Sequence, residues 1–182
     1  MNHPDHVELL RGGISRPGGV WADFGSGKGA FTLALAELIG SDGVIYSVDK
    51  NANALREQEQ IMRSRFPNHT VYYLDVDYTK DLDLPPLTGA VFANALHFQR
   101  KKDRVVQSIR TTLKPGGRLI LVEYNVDRGN PWVPYPLSFD TWKNLASRNG
   151  FAETRLLSRR PSSFLGEIYS ALSLIDPKEP EF

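Results

Sequence analysis

Cysteine is absent from all 182 residues, which removes disulfides, thiolate metal sites and any cysteine nucleophile while leaving the redox compartment open. Methylations that work through a thiol, arsenite methylation included, fall with it. An excess of charge is also missing: 22 Lys and Arg stand against 21 Asp and Glu, for a formal net charge of +1. That balance argues against nucleic acid as a partner and marks no membrane surface, although a local basic patch stays open. Long apolar runs are lacking, the longest falling far below the roughly 20 residues of a membrane span. Met1-Asn2-His3-Pro4-Asp5-His6 shows no basic stretch leading into an apolar core, so a cytoplasmic protein is expected. Repeats at solenoid spacing and low-complexity tracts are missing as well.

What is present, 41% hydrophobic and 24% charged residues at ordinary domain length, fits one globular domain. The expected domain covers residues 1–176, with residues 1–16 as an N-terminal cap segment that helps hold the acceptor and residues 177–182 as a polar tail. In between, strand-like and helix-like segments alternate, the signature of a parallel sheet with crossover helices. Strands are expected at residues 20–24, 43–49, 71–74, 90–93, 118–124, 151–157 and 164–174. Helices are expected at residues 30–39, 51–66 and 104–113, and around Phe139, Trp142 and Leu145. Gly40, Pro67 and the run Lys114-Pro115-Gly116-Gly117 end the first three helices. The last two strands are separated only by the turn-prone Arg159-Arg160-Pro161-Ser162-Ser163, too short a link for a parallel crossover, so they pair antiparallel. The expected fold is α/β: a seven-stranded, mostly parallel sheet with one antiparallel strand and helices on both faces.

Asp23-Phe24-Gly25-Ser26-Gly27-Lys28-Gly29 lies between a strand and a helix, where glycines allow a sharp turn and a close ligand approach. Gly25, Gly27 and Ala30 also satisfy the dinucleotide fingerprint, with Asp49 near the ribose-acid distance, so a nicotinamide oxidoreductase stays open as an alternative. The phosphate loop of nucleotide hydrolases fits worse, because Gly29 follows Lys28 where Ser or Thr is required. The acids at strand ends favour S-adenosylmethionine. Asp23 beside the glycine loop suits an ammonium, Asp49 at the second strand end suits two ribose hydroxyls, and Asp77 after the third suits an adenine amino group. Each acid taken alone reads equally as a turn or helix cap.

Residues 20–37 and 45–50, Asp75-Val76-Asp77, Asn94-Ala95-Leu96-His97 and Leu113-Lys114-Pro115-Gly116-Gly117-Arg118-Leu119, in that order, resemble class I S-adenosylmethionine-dependent methyltransferases. The small-molecule, ubiquinone/menaquinone-type branch is nearest, and the likeness runs over residues 8–174. The resemblance implies the Rossmann-like methyltransferase fold with the last strand antiparallel. It further implies that Gly25, Ser26, Gly27 and Gly29 hold the methionine part of the donor, Asp49 and its neighbour Lys50 the ribose, and Asp77 and Tyr78 the adenine, with Asn94 at the fourth-strand edge. Ser26-Gly27-Lys28 departs from the Cys-Gly-Thr of many members, and Gly89-Ala90 from the Asp that often opens the fourth strand.

Methyl transfer asks mainly for alignment and exclusion of water. An oxygen nucleophile also has to lose its proton. His97, after the fourth strand at the ligand-binding edge, is the natural base, and it reads equally as a packed pocket histidine. Glu123 and Tyr124 at the end of the fifth strand are second candidates, Tyr124 equally a core ring. The loop of residues 125–136, bearing Trp132 and Tyr135, fits a wall for a flat or apolar acceptor, or a packing clamp over the sheet edge. Gln99-Arg100-Lys101-Lys102-Asp103-Arg104 crowds four cations at a helix start, where the dipole disfavours them; Arg100 is the candidate for an acidic acceptor, and a solvated helix face is the plainer reading. An adenine-type RNA methyltransferase is a further alternative: residues 25–32 are similar to the glycine loop of ribosomal-RNA adenine dimethylases, but Asn94-Ala95-Leu96-His97 lacks their aromatic stacking residue. A non-catalytic donor-binding domain is the last, and no metal-ligand set is singled out.

Overall fold

Apolar stretches of period two, broken by glycine turns and amphipathic helices, build a single sheet. In the computed structural model, which describes residues 1–178, the elements are α1 (His3–Arg11), β1 (Gly19–Phe24), α2 (Ala30–Ile39), β2 (Gly43–Asp49), α3 (Ala52–Arg65), β3 (Thr70–Asp75) and β4 (Leu87–Ala93). They continue with a 3-10 turn (Leu96–Phe98), α4 (Lys102–Thr112), β5 (Leu113–Tyr124), α5 (Phe139–Arg148), β6 (Glu153–Ser162) and β7 (Gly166–Leu174). The strand order is β3-β2-β1-β4-β5-β7-β6. The first five run parallel, and β7 is antiparallel to both neighbours. Seven strands with one reversed bear out the expected sheet.

Alternation along each strand sends side chains to two apolar layers. Trp21, Val91 and Ile120 meet Leu9, Leu10, Leu35, Ile39 and Met62 on the face of α1, α2 and α3. Phe24, Phe92, Leu121 and Tyr169 meet Val106, Ile109, Trp142 and Leu145 on the face of α4 and α5. The helix starts are locally encoded. Asn2 and Asp5 form a reciprocal capping box on α1, Asn51 caps α3 through Ala54 N–H, and Ser138 caps α5 through Thr141 N–H.

Three details differ from expectation. Residues 113–117 belong to β5 rather than to a helix end and turn, because Leu113 already pairs with Leu87 across a bulge. Residues 159–162 extend β6, and the hairpin turn falls on residues 163–165, carrying Phe164 out of the strand. Pro161 is accommodated there because β6 is an edge strand. The segment 1–16 is chiefly a helix docked on α2, with Leu9 and Leu10 fully buried and His3 paired to Glu37 at 2.8 Å. It lines neither cavity described below. Of the expected tail, Pro177 and Lys178 are exposed and residues 179–182 lie outside the described residues.

Candidate active site

Strand order reverses between β1 and β4, and the turns leaving the carboxyl ends of neighbouring strands meet there, as ligand sites do in open α/β sheets. The glycine loop after β1 is tied to the end of β2: Gly25 N–H donates to Val48 O at 2.8 Å, and Gly27 N–H to Asp49 Oδ2 at 2.8 Å. Two glycines are required by geometry. Gly25 has φ 73° and faces Ala95, whose Cβ would lie 2.5 Å from an added Cβ; Gly29 has φ 84° and abuts the side chain of Gln58. Gln58, fully buried on α3, also lies 3.0 Å from Ser47 Oγ, which stands 2.7 Å from Ser26 Oγ. The Ser26 hydroxyl is thus committed to the strand end beneath the loop.

A cavity of about 370 Å³ opens beside this loop, lined by Gly25, Asp49, Lys50, Asp77, Tyr78 and Asn94 together with Ala95, Phe98 and Gln99. Asp49 accepts one backbone N–H on each oxygen, from Gly27 and from Asn51, and keeps lone pairs for further donors. Asp77 receives both the backbone N–H and the hydroxyl of Thr79 on Oδ1, leaving Oδ2 open. Those two bonds hold its carboxyl below the ordinary range, with Lys50 and Lys80 assisting. Tyr78 donates its hydroxyl to Ala95 O at 2.9 Å, accepts from Gln99 and packs edge-on against Phe92. The donor set fits a ribose with two hydroxyls beside an adenine.

A second cavity of about 470 Å³ is lined by Asn94, His97, Tyr124, Trp132, Val133 and Phe164. Asn94 walls both cavities. It is the described non-glycine residue with positive φ, 52°, and its buried Oδ1 has no partner, an arrangement that belongs to functional sites more than to cores. Behind the second cavity, Glu123 is fully buried with both carboxyl oxygens 2.9–3.0 Å from His97 Nδ1. Tyr124 N–H donates to Glu123 Oε1 at 2.8 Å. A carboxylate only accepts, so in the neutral imidazole Nδ1 is the donor and Nε2 the free ring nitrogen; among the described residues Nε2 has no hydrogen bond. Tyr135 N–H fixes His97 from the other side by donating to its carbonyl at 3.0 Å.

The remaining expected residues sort plainly. Asp23 does not line the donor cavity: it is 1% exposed and accepts from Thr32 Oγ1 at 2.6 Å beneath the loop. Burial pushes its carboxyl up to about 7, with Thr32 opposing and the Asp49 charge adding. Arg100 is exposed and lines neither cavity. The Tyr135 ring lies under Lys102 Nζ, 5.7 Å from its centroid, outside the acceptor cavity, while Trp132 lines it. The crowded cations are relieved by Asp103 in the first turn of α4 and by Lys102, which donates to Gln99 O at 2.8 Å. Gln58, Phe98, Gln99 and Phe164 were not legible as site residues. Phe164 read as strand, and Gln58 differs in no sequence signal from its solvated helix neighbours.

Fold and crevice together define an α/β domain with two adjoining cavities at the carboxyl edge of its sheet and a buried histidine–carboxylate pair behind one of them. The chain matches the family described as "Methyltransferase domain" over residues 16–160 and belongs to it. It is a class I S-adenosylmethionine-dependent methyltransferase domain, and this displaces the nicotinamide alternative. A 2-phytyl-1,4-naphtoquinone methyltransferase of Trichormus variabilis is 27% identical over 115 residues, covering 61% of this chain and 49% of that one. The chain spans about half the length of the curated relatives it matches. Among solved structures, the YcgJ protein from Bacillus subtilis superposes with TM-score 0.78 at 12% identity, covering 96% of this chain and 99% of that one. A SAM-dependent methyltransferase from Aquifex aeolicus gives 0.71 at 18% identity, covering 94% and 93%.

Proposed function

We propose that the protein methylates a hydroxyl, or a similarly acidic atom, on a flat uncharged small molecule, with His97 as general base. S-Adenosylmethionine supplies a methyl group on a cationic sulfur that is already activated for displacement. Gly25, Gly27 and Gly29 cradle the methionine part, Asp49 takes the ribose hydroxyls with Lys50 beside it, and Asp77 with Tyr78 takes the adenine. Asn94, shared by both cavities, hydrogen-bonds the acceptor at their junction. His97 Nε2 receives the acceptor proton, and Glu123 steadies the imidazolium that results. Tyr124, Trp132 and Phe164 hold the acceptor ring and keep water out.

The observation that carries this reading is the buried Glu123–His97 pair behind a cavity that meets the donor cavity at Asn94. Among the described residues no Asp, Glu, Lys or Arg lines the acceptor cavity, which supports an uncharged ligand. Near-zero net charge supports a small molecule over nucleic acid, and the lack of cysteine separates this chemistry from thiol-dependent methylation. Residues 1–176 act in this reading as one domain, in the cytoplasm; among the described residues no helix is long and apolar enough to cross a membrane. The test is a pooled-metabolite assay following S-adenosylhomocysteine release. Wild type releases it with an acceptor that gains one methyl group, Asp49→Ala loses donor binding, and His97→Ala binds the donor but releases product at least about a hundredfold more slowly. Activity of His97→Ala equal to wild type would overturn the role given to the dyad.

A further inference from the structure

Large apolar side chains rarely sit exposed together unless they meet something. Among the described residues eight large hydrophobic side chains are exposed, and three of them border the crevice: Trp132 at 71% exposure and Phe164 at 47% line the second cavity, and Phe98 at 58% lines the first. Asn94 walls both cavities, so the three flank one crevice as its rim. Ring centroids lie 6.4 Å apart for Phe164 and Trp132, 5.8 Å for Phe164 and Tyr124, and 4.3 Å for His97 and Phe98.

Exposed cations lie close in sequence to these side chains. Arg100 and Lys101 follow Phe98, and Arg128 shares the Trp132 loop. Arg11, Arg63, Arg148, Arg155 and Arg159 each stand within 4.0 Å of a carboxylate, but among the described residues Arg100, Lys101 and Arg128 do not. The neighbouring acids are occupied: Asp103 is clamped by Arg148, Asp127 accepts from Ser138, and Glu167 accepts from Asn125 near Arg159.

We propose that this rim docks on an anionic lipid bilayer, so that the acceptor passes between membrane and cavity without crossing water. Amphipathic aromatic rings settle at the headgroup level, and unpaired Lys and Arg beside them are drawn to a negative surface. Docking on a bilayer puts to use two sequence features the donor and base leave over, the cations of residues 100–102 and the aromatic, proline-rich loop.

The structure supplies its own reporter. Trp21 and Trp142 are buried at 1% and 0%, so a vesicle-induced change in indole emission reports on Trp132. Sedimentation with phosphatidylglycerol/phosphatidylcholine vesicles is expected to pellet the protein and blue-shift its emission, whereas pure phosphatidylcholine does so weakly. Arg100→Gln/Lys101→Gln lowers binding to the anionic vesicles on the order of tenfold, and Trp132→Phe abolishes the shift while binding persists. S-Adenosylhomocysteine titration verifies that each variant is folded. Absence of pelleting overturns the proposal, as does pelleting without a Trp132 shift. Light scattering that shows a vesicle-free dimer with the same blue shift assigns the rim to a second copy of the chain and equally overturns it. None of these readouts uses methyl transfer, so the docking surface and the proposed reaction fail or stand separately.

Discussion

In the proposed reaction His97 acts on the acceptor through Nε2, the ring nitrogen that Glu123 leaves free. Removing the ring in His97→Ala is expected to lower kcat by about 10²–10⁴ with S-adenosylhomocysteine affinity unchanged, the size of a positioned general base. Glu123→Gln keeps an acceptor for Nδ1 but not the charge, so a smaller fall in kcat is expected; parallel titration calorimetry and steady-state rates on both variants check the pair. Asp23 supplies a second residue-scale outcome. Its carboxyl titrates near 3.8 in the unfolded chain and at about 7 when burial removes water from it. Between those values the unfolded chain has lost a proton that the native protein keeps, so this group makes stability fall as pH rises from about 4 to about 7 and adds no slope above. Three units set an upper bound of about 4 kcal/mol. Urea unfolding of wild type and Asp23→Asn at pH 5 and pH 8 tests it: the variant should gain on wild type toward pH 8, and an unchanged difference sinks the assignment.

The element most dependent on a single position is the start of α2. Gly29 sits there at φ 84° against Gln58 of α3, so Gly29→Ala meets both backbone strain and a collision. A loss of about 3 kcal/mol is expected by chemical denaturation, and Gly29→Ala/Gln58→Ala should recover the part caused by the collision. A double variant no better than the single one would put the whole cost in the backbone. Among the strands, β6 shows how position overrules composition: Arg159-Arg160-Pro161-Ser162 reads as a turn, yet an edge strand with one free side tolerates Pro161 and carries the hairpin on to Phe164.

Across the whole molecule, two halves of one sheet edge divide the work. The cavity beside the glycine loop is lined from the turns after β1, β2, β3 and β4, the second cavity from the turns after β4 and β5 and the hairpin turn at Phe164, and Asn94 walls both. Because a ligand of the native state stabilises it by mass action, S-adenosylhomocysteine at a hundred times its Kd should add about 2.7 kcal/mol. For a chain of this length that is a rise in Tm of roughly 5–10 °C. Asp49→Ala should show little of that rise. Scanning fluorimetry reads it directly, and an equal rise in the variant would place the donor elsewhere.

Periodicity and glycine punctuation were enough to read the α/β class, the order of the elements and the reversed last strand, since burial of one face or both leaves its mark residue by residue. Part of the lining of the cavity beside the glycine loop was legible for the same local reason: Gly25, Asp49 and Asp77 sit at strand ends, where short turns fix their place. His97 and Glu123 were each visible as candidates, but 26 residues separate them in the chain, and only the pairing of β4 with β5 sets them at hydrogen-bond distance. Tertiary packing alone decided the rest. It drew Asp23 beneath the loop, put Gln58 behind Gly29, docked the first helix on α2 away from the acceptor, and turned Phe164 into the cavity. Those outcomes depend on which surfaces meet across the sheet, and a one-dimensional pattern records a residue's tendency to be buried without recording its neighbour.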